Sequence, residues 1–204
     1  MKINVVQNPL SFKKTLVANT AYIKDNKICP AKIYKLNPVK DKNYFVDLEK
    51  KDEWVLNNYL YYLNEEIMEE VKQVENNSNY HREFFVMEDD DDECISVLSL
   101  ETDNYRNETN GGFFEVRTDL STECKNRNAK YIGESFILFV VKWSNDVLGT
   151  NFVINLPSAT ARDFYDKCGF KNISDGFYFP KENIDGLIEQ NKSHTGIGVN
   201  FLRH

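Results

Sequence analysis

The sequence predicts a mixed α/β (α+β) fold, in which a mostly antiparallel sheet contains a central parallel strand pair and is flanked by helices. Two patterns indicate this fold. An aromatic-rich helical segment precedes three strand-like segments joined by polar turns, which is typical of an antiparallel meander. The last third of the chain then reads strand, helix, strand, helix, strand, and a strand–helix–strand crossover makes its two strands parallel.

Composition limits the class of protein. A chain of 204 residues is long enough for one domain and short for two, and no repeat or linker divides it. The net charge of −7 argues against a nucleic-acid or membrane-surface binder, because such proteins usually have a basic face. The charge is compatible with a cationic acceptor such as an amine, or with solubility alone.

Cysteine and histidine placement gives no sign of a metal site. The four cysteines form no CxxC pair, and the three histidines are not spaced with them as metal ligands. Scattered thiols fit a reducing compartment. The N-terminal stretch lacks the features of a signal peptide, and no window approaches the roughly 20 apolar residues of a membrane span. We therefore expect a cytoplasmic protein.

The first part of the chain contains one clear helix. Residues 1–30 alternate short apolar pieces with Asn and Lys, which predicts an irregular arm or an edge strand. Strands are predicted over 31–36 and 44–48, with a turn between them. Apolar residues recur at helical spacing from 52 to about 75, which predicts a helix.

Three strands follow as the predicted meander, over Glu83–Met87, Cys94–Leu100 and Phe113–Thr118. Six consecutive acids at 88–93 cannot share a buried strand, so they predict a hairpin tip in solvent. Residues 104–112 predict a polar turn that is closed by two glycines.

A strongly apolar helix is predicted over 133–147, with Gly149 at its end. A buried strand is predicted over 152–156. Ser158 is then the predicted N-cap of a second helix, which Gly169 closes.

The end of this second helix predicts a Schellman cap, because Phe170 can pack back on the last turn. A final strand is predicted near 177–179 and a short helix over 181–191. The polar, glycine-containing tail over 192–204 predicts no regular structure.

The strand–loop–helix–strand unit from Phe113 to Leu156 predicts where an anion would bind. Its helix begins at the carboxyl end of a parallel strand, where free N–H groups and the helix dipole favour negative charge. Residues 128–135 could wrap a phosphate, Gly133 allows a close backbone approach, and Arg127 and Lys130 add positive charge. Taken alone, this pattern is common in α/β proteins.

Two segments resemble motifs of the GNAT superfamily of N-acyltransferases. Residues 126–135, with the apolar helix after them, are similar to the family's pyrophosphate loop, R/Q-x-x-G-x-G/A. Residues 158–170 are similar to its second motif, N-x-x-A-x-x-F-Y-x-x-x-G-F, with the Ala, Phe-Tyr and Gly-Phe in register. The family's Arg or Gln, first loop Gly, and Asn are replaced by Asn128, Tyr131 and Ser158.

The resemblance implies one GNAT-like domain over 1–204, with a variable, acceptor-side part over 1–80 and an acyl-CoA-binding core over 83–180. Acyl-CoA, most simply acetyl-CoA as co-substrate, would lie between strands 113–118 and 151–156. Its pantetheine arm would pair with the strand backbone and its pyrophosphate would sit on the loop. The residues implied in coenzyme binding are Val116, Thr118, Asn128, Ala129, Lys130, Tyr131, Ile132, Gly133, Glu134, Ser135 and Ser158.

The resemblance also implies direct attack of a primary amine on the thioester, which needs a base for the ammonium and an acid for the leaving thiolate. Glu115 is the implied base and Tyr165 matches the family's acid. From the pattern alone, Glu115 could equally lie on a solvent face and Tyr165 in the core. The acceptor would be a small-molecule or protein amine, with no nucleic-acid or membrane partner, and paired edge strands would make a homodimer.

Two other functions stay open at this point. The changes at Asn128 and Tyr131 are compatible with a catalytically weak or inactive GNAT-fold protein that binds a partner. A nucleotide- or phosphate-binding domain of another kind is disfavoured, because the chain lacks G-x-x-x-x-G-K-[ST] and G-x-G-x-x-G. Cys124 and Cys168 have no neighbouring base in the sequence, so they are expected to be inert thiols.

Overall fold

The computed structural model describes residues 14–51, 54, 59–73, 80–120, 128–155, 161–174 and 176–202. Within these ranges the chain forms ten strands and five α-helices. The strands are β1 (Thr15–Lys24), β2 (Lys27–Lys35), β3 (Tyr80–Asp89), β4 (Cys94–Asp103), β5 (Glu108–Val116), β6 (Ala129–Lys130), β7 (Asn151–Asn155), β8 (Lys171–Ile173), β9 (Gly176–Tyr178) and β10 (Asn200–Phe201). The helices are α1 (Tyr44–Glu49), α2 (Tyr59–Gln73), α3 (Ile132–Lys142), α4 (Arg162–Lys167) and α5 (Ile184–Thr195).

The described strands form one sheet in the order β10-β1-β2-β3-β4-β5-β7-β9-β8, with β6 also paired to β1. The β5–β7 pair is parallel, and the other described pairs are antiparallel. Phe84 and Val86 of β3 pack under α1 and α2, whereas Phe85 and Met87 pack with α3 and α5. Because alternate side chains of a strand point to opposite faces, helices cover both faces. The predicted fold class is confirmed.

The N-terminal region forms a regular hairpin, so the predicted irregular arm or edge strand over 1–30 is wrong for the described part. The turn residues Asp25 and Asn26 have φ of 51° and 59°, as a two-residue type I′ hairpin requires. β1 lies between β2 and β10, where Ala18 and Ala21 are fully buried. Because α3 packs closely on β1, small residues occupy these buried positions, and the strand lacks an obvious apolar alternation.

Residues 44–48, predicted as a strand, form most of helix α1 instead. Tyr44, Phe45 and Leu48 are buried beneath α2, and their spacing places them on one side of a helix. A short apolar run does not by itself distinguish a strand from a buried helix. A helix is more stable than a strand here because its single apolar side packs against the sheet.

The longer helices and the last strand agree with the prediction. The helix expected over 52–75 is α2 within the described residues, and the one expected over 133–147 is α3. α3 continues through a π-helical turn, Trp143–Leu148, which ends at Gly149 with φ of 69°. The strand expected near 177–179 is β9. None of the described helices is both long and apolar enough to cross a membrane.

Two of the acids predicted at an exposed hairpin tip lie in a strand instead. β3 extends to Asp89, and Glu88 is only 2% exposed. The Glu88 carboxylate accepts a hydrogen bond from the Tyr44 hydroxyl at 2.9 Å and pairs with Lys14. A buried charge is tolerated when it has such partners, and both partners are distant in sequence.

Gly111 and Gly112 lie within β5, so the predicted polar turn over 104–112 is wrong at its second half. A Cβ on Gly112 would lie 2.5 Å from Ser99 Oγ, and one on Gly111 would lie 3.1 Å from the Phe152 ring. The two glycines therefore allow β5 to approach its neighbours on both sides.

The C-terminal tail has regular structure in its described part, so the prediction of no regular structure over 192–204 is wrong up to residue 202. α5 runs to Thr195 and ends at Gly196, which has φ of 77°. β10 then pairs with β1, with Phe201 opposite Ala18. This pairing joins opposite ends of the chain, and no local pattern signals it.

The α4 segment has the predicted Schellman cap. Gly169 has φ of 90°, its N–H donates to Asp166 O at 3.0 Å, and the Phe170 N–H donates to Tyr165 O at 3.1 Å. The Phe170 and Tyr165 ring centroids are 5.4 Å apart, which supplies the apolar contact of this motif. The predicted N-cap, Ser158, lies outside the described residues.

Candidate functional site

The parallel strands β5 and β7 separate at their carboxyl ends. They pair from Glu108 opposite Asn151 to Asn110 opposite Val153. Among the described strands, β5 then continues to Val116 paired with β4 alone. This separation opens a cleft at the carboxyl ends of the strands, where open α/β sheets usually bind ligands.

A β-bulge lies where the two strands separate. Ser99 of β4 faces two residues of β5, Gly112 and Phe113. The Phe113 N–H donates to Ser99 Oγ at 3.0 Å. A bulge bends its strand and increases the local twist, so it accounts for the departure of β5 from β7.

Beyond the bulge, the main chain of Val116 faces the cleft. The Arg117 N–H donates to Ile95 O at 3.0 Å, and Glu115 O accepts a hydrogen bond from Ser96 Oγ at 2.7 Å. Glu115 and Arg117, the residues on either side of Val116, therefore direct main-chain groups towards β4. Because successive residues of a strand direct such groups to opposite edges, those of Val116 point into the cleft.

The loop before α3 is held by the N-terminal hairpin. Asn128 Nδ2 donates to Asp25 Oδ1 at 2.9 Å, and Asn128 O accepts from the Asp25 N–H at 2.9 Å. Ala129 and Lys130 pair with β1. Ala129 is buried and Lys130 is exposed. Lys130 therefore places an accessible ammonium group just before the start of α3.

Tyr131 takes a backbone conformation that suits the glycine of the GNAT pattern. Its φ is 66° and its ψ is 9°, in the left-handed region, which costs an ordinary residue roughly 1–2 kcal/mol. The Tyr131 ring stacks on His194 of α5, with centroids 4.2 Å apart and planes 14° apart. This contact offsets part of the strain, so the loop keeps its left-handed turn without glycine.

The Glu134 carboxylate is anchored to α5. Glu134 is 6% exposed and accepts hydrogen bonds from Gln190 Nε2 at 2.9 Å and Asn191 Nδ2 at 3.1 Å. His194 Nδ1 lies 3.0 Å from both carboxylate oxygens. These three α5 residues were not predicted from the sequence, because their contact with Glu134 joins segments more than 50 residues apart, and because the predicted helix ended at 191, before His194. Their helical spacing, which places them on one side of α5, is the signal that could have revealed them.

The first turn of α3 offers main-chain donors more than side chains. Ile132 is buried, and Ser135 Oγ donates to Ala21 O at 2.8 Å. The Ser135 N–H bonds to Tyr131 O at 3.0 Å, which is the first bond of the helix. The N–H groups of residues 132–134 therefore have no acceptor within the helix, and the helix dipole makes their surroundings favourable to an anion.

Gly133 brings the loop against the α4 segment. A Cβ at this position would lie 3.2 Å from the Phe164 ring of α4 and 3.6 Å from the Phe114 ring of β5. The absence of a side chain lets the start of α3 pack on both rings. The loop, α4 and the end of β5 thereby meet at one place.

Tyr165 lies on α4 and is 7% exposed. Its ring packs among those of Phe164, Phe170 and Phe177. Burial raises the pKa of the Tyr165 hydroxyl to about 12, and Cys168 and Glu115 add to the rise. The hydroxyl is therefore protonated at neutral pH and lies within electrostatic reach of the Glu115 carboxylate.

Glu115 is half-buried and lies on the α2 side of the sheet. It is two residues from Phe113, which packs in the α2 cluster, and alternation places both side chains on the same face. Glu115 of β5 thus lies on the α2 side of the sheet, whereas Tyr165 of α4 packs in the cluster on the α3 side, and their side chains interact electrostatically.

The other predicted residues are only partly described. Thr118 begins a short 3₁₀ helix directly after β5. Ser158, Arg127 and Cys124 lie outside the described residues. Burial raises the pKa of the Cys168 thiol to about 12, so this cysteine is not a thiolate at neutral pH.

Comparison with solved structures finds N-acetyltransferases. A chimera of the Vibrio cholerae spermidine N-acetyltransferase SpeG and hSSAT superposes with a TM-score of 0.53 and 14% identity, over 76% of this chain and 97% of that one. A mutant of the Vibrio cholerae enzyme gives a TM-score of 0.52 and 15% identity, over 76% of this chain and 95% of that one. No protein-family model and no curated protein matches the sequence.

The chain has the fold of these GNAT acetyltransferases, which confirms the resemblance at the level of the fold. Identity this low carries neither the activity nor the substrate of the matched enzymes, because one fold hosts many functions. The site's own geometry has to support any assignment of function.

Proposed function

We propose that this protein is an N-acyltransferase that transfers an acetyl group from acetyl-CoA to a primary amine by direct attack. The observation that supports it best is the cleft between β5 and β7, which opens next to the first turn of α3 and near both Glu115 and Tyr165. The surroundings of this parallel strand pair would thus offer a cleft for an extended arm, main-chain donors for phosphate and an acid–base pair.

The residues present fit the coenzyme. The main-chain groups of Val116 suit the amides of a pantetheine arm, because an extended chain can pair with β5 beyond the point where its pairing with β7 ends. The N–H groups of residues 132–134 and the exposed Lys130 suit a pyrophosphate. In this proposal the side chains of Asn128, Tyr131 and Glu134 shape the loop rather than touch the coenzyme.

Glu115 and Tyr165 divide the proton transfers between them. Acetyl-CoA supplies the acyl group as a thioester, and the amide C–N bond forms as the C–S bond breaks. Glu115 accepts the proton that the acceptor's ammonium group must lose before its nitrogen can attack. Tyr165 donates a proton to the departing thiolate. Its raised pKa keeps the hydroxyl protonated for this role across the neutral range.

The acceptor in this proposal is a small-molecule or protein amine. The matched Vibrio cholerae enzymes are spermidine N-acetyltransferases, and a chain with a net charge of −7 suits a cationic acceptor. The acceptor would approach on the α2 side, where Glu115 lies, while residues 83–180 bind the coenzyme. We place the protein in the cytoplasm as a single domain, and a homodimer is compatible with its exposed edge strand β8.

One observation favours a second candidate, a GNAT-fold binding protein with little or no activity. Glu134 places a carboxylate in the first turn of α3, close to the proposed phosphate position. Like charges at that position would weaken coenzyme binding unless the α5 donors compensate for them. This candidate predicts that the protein acetylates no amine.

The first experiment is calorimetric titration with acetyl-CoA, with desulfo-CoA and ATP as comparisons. Saturable micromolar binding of both CoA compounds, without ATP binding, is the expected result. No binding at millimolar acetyl-CoA would overturn the coenzyme assignment and favour the second candidate.

The second experiment tests the acid–base pair on an amine found by screening. Glu115→Gln and Tyr165→Phe should each lower kcat by about 100-fold, the usual contribution of one acid–base group, and leave acetyl-CoA affinity nearly unchanged. Glu108→Gln, at the far end of β5, is the matched control. Wild-type rates in both variants would show that the catalytic assignment is wrong.

A further inference from the structure

The bulge in β5 is held in place from α2. The buried Ser99 hydroxyl accepts the Phe113 N–H at 3.0 Å, and it lies near enough to the Glu66 carboxyl group to act on the pKa of that group, in the direction that lowers it. The Phe113 ring stacks on Tyr62, with centroids 5.6 Å apart and planes 11° apart. Tyr62 of α2 therefore contacts the ring of the bulged residue, and Glu66 of α2 lies near the hydroxyl that binds its main chain.

The burial of the Glu66 carboxyl group lowers the stability of the folded state. Among the described residues, none forms a hydrogen bond with its buried Oε2 atom, and burial raises the pKa of the carboxyl group. Desolvating one oxygen of a carboxyl group disfavours the folded state. A residue whose burial lowers stability in this way usually contributes to a functional site. Glu66 is connected through Ser99 to the bulge in β5.

Ser99 and Gly112 are matched to each other. A Cβ on Gly112 would lie 2.5 Å from Ser99 Oγ, so the hydroxyl fills space that only glycine leaves open. Without the hydroxyl, the Phe113 N–H would lose its acceptor. A regular ladder of hydrogen bonds with β4 would then be more favourable for β5 than the bulge. Loss of the bulge would shift the register by one residue and turn every later side chain of β5 to the opposite face of the sheet.

We propose that Ser99 and Glu66 are positioning residues, which hold the bulge so that the main chain of Val116 faces the cleft and the Glu115 side chain stays on the α2 side. This inference rests on the proposed function, because the cleft is taken to hold the pantetheine arm. In this inference α2, which lies on the proposed acceptor side of the sheet, helps to form the cleft that would bind the coenzyme. Neither residue touches the coenzyme or the reacting atoms.

The test uses substitutions that differ in one hydrogen-bond acceptor. Ser99→Ala removes the acceptor of the Phe113 N–H, and Glu66→Leu removes the carboxyl group near Ser99. Glu66→Gln keeps an oxygen in the same place. Glu65→Leu is the matched control, because Glu65 is exposed on the same helix and bonds only to the neighbouring Tyr61 among the described residues, at 2.7 Å.

Calorimetry with acetyl-CoA and with 3′-phospho-ADP, which lacks the pantetheine arm, gives the readout. Ser99→Ala and Glu66→Leu should weaken acetyl-CoA binding by about tenfold, the effect of one lost hydrogen bond. Affinity for 3′-phospho-ADP should not change, because that fragment needs the loop alone. Glu66→Gln and Glu65→Leu should bind acetyl-CoA within about twofold of wild type.

Three results would overturn the inference. They are wild-type acetyl-CoA affinity in Ser99→Ala and Glu66→Leu, an equal loss of acetyl-CoA and 3′-phospho-ADP binding, and equal behaviour of Glu66→Gln and Glu66→Leu. Thermal unfolding of each variant checks that it is folded. Failure of the unaltered protein to bind acetyl-CoA would instead overturn the proposed function, and this inference with it.

Discussion

The loop over 128–135 and the α4 segment over 161–170 flank the same cleft, yet they are held in different ways. α4 ends through its own residues, because the Gly169 cap closes with bonds to Asp166 and Tyr165 a few residues earlier. The loop depends on distant residues, since Asp25 binds Asn128 and His194 supports Tyr131. The locally encoded α4 segment stays close to the GNAT motif that it resembles, whereas the loop, which has tertiary support, departs from the corresponding motif.

The largest expected effect comes from separating these two regions at their contact. Gly133→Trp puts a bulky ring where a Cβ already lies 3.2 Å from Phe164. We expect acetyl-CoA affinity to fall by about 100-fold or more in calorimetry, since overpacking here displaces the start of α3. Gly186→Trp is the matched control, because no atom of the described residues would lie within 4 Å of a Cβ on Gly186. Unchanged binding in Gly133→Trp would show that the coenzyme does not use this loop.

The next effect tests the tertiary support of the loop. His194→Ala removes both the stacking partner of Tyr131 and a neighbour of the Glu134 carboxylate. We expect acetyl-CoA binding about tenfold weaker, with the protein still folded. Ser193→Ala, exposed on the same turn of α5, is the control.

A double-mutant cycle isolates the stacked pair. Tyr131→Gly relieves the left-handed strain while it loses the stack, so its own effect on the free energy of unfolding should be small. Chemical denaturation of Tyr131→Gly, His194→Ala and the double variant should give a coupling of about 0.5–1.5 kcal/mol. No coupling would mean that the stack does not support the loop.

An effect of similar size tests the local cap of α4. Gly169→Ala places a side chain at φ of 90°, which should lower the free energy of unfolding by roughly 1–2 kcal/mol. The corresponding fall in Tm is about 3–6 °C for a chain of this size. Gly186→Ala, on an exposed face of a helix, should instead raise Tm slightly. A variant at Gly169 with unchanged Tm would show that the cap is not needed.

The last effect, of about the same size, is a fall in the free energy of unfolding at alkaline pH that comes from residues of the α4 segment. Burial raises the pKa of Cys168 from 9.0, and that of Tyr165 from 10.0, each to about 12. The folded state therefore holds these protons more tightly, and the stability they contribute is present below about pH 9 and is lost as pH rises towards 12. The loss between pH 7.5 and 9.5 should be about 1 kcal/mol.

Cys168→Ala checks the origin of that loss. Tm curves recorded over the same pH range should be flatter in this variant than in the unaltered chain. Cys94 and Tyr22 also have pKa values raised to about 12, so some alkaline sensitivity should persist. Identical slopes would show that Cys168 carries none of the effect.

Much of the proposed site was readable from the sequence because its signals are short-range. The apolar period of α3, the glycine at 133 and the Ala, Phe-Tyr and Gly-Phe spacing of the α4 segment needed no distant partner. The predictions from the sequence were wrong where a contact with a residue distant in the chain determines the structure. Glu88 was expected in solvent, but Lys14 and Tyr44 allow it to be buried.

The sequence by itself determined the fold class, the two helices that frame the cleft and the cap at Gly169, because hydrophobic period and backbone preference act between near neighbours. Only the tertiary structure decided that Gly112 lies in a bulge, because this depends on Ser99 across the ladder. It also decided that Tyr131 takes a left-handed turn beside His194. The energy that settles these features comes from contacts between distant segments, and such contacts exist only once the chain has folded.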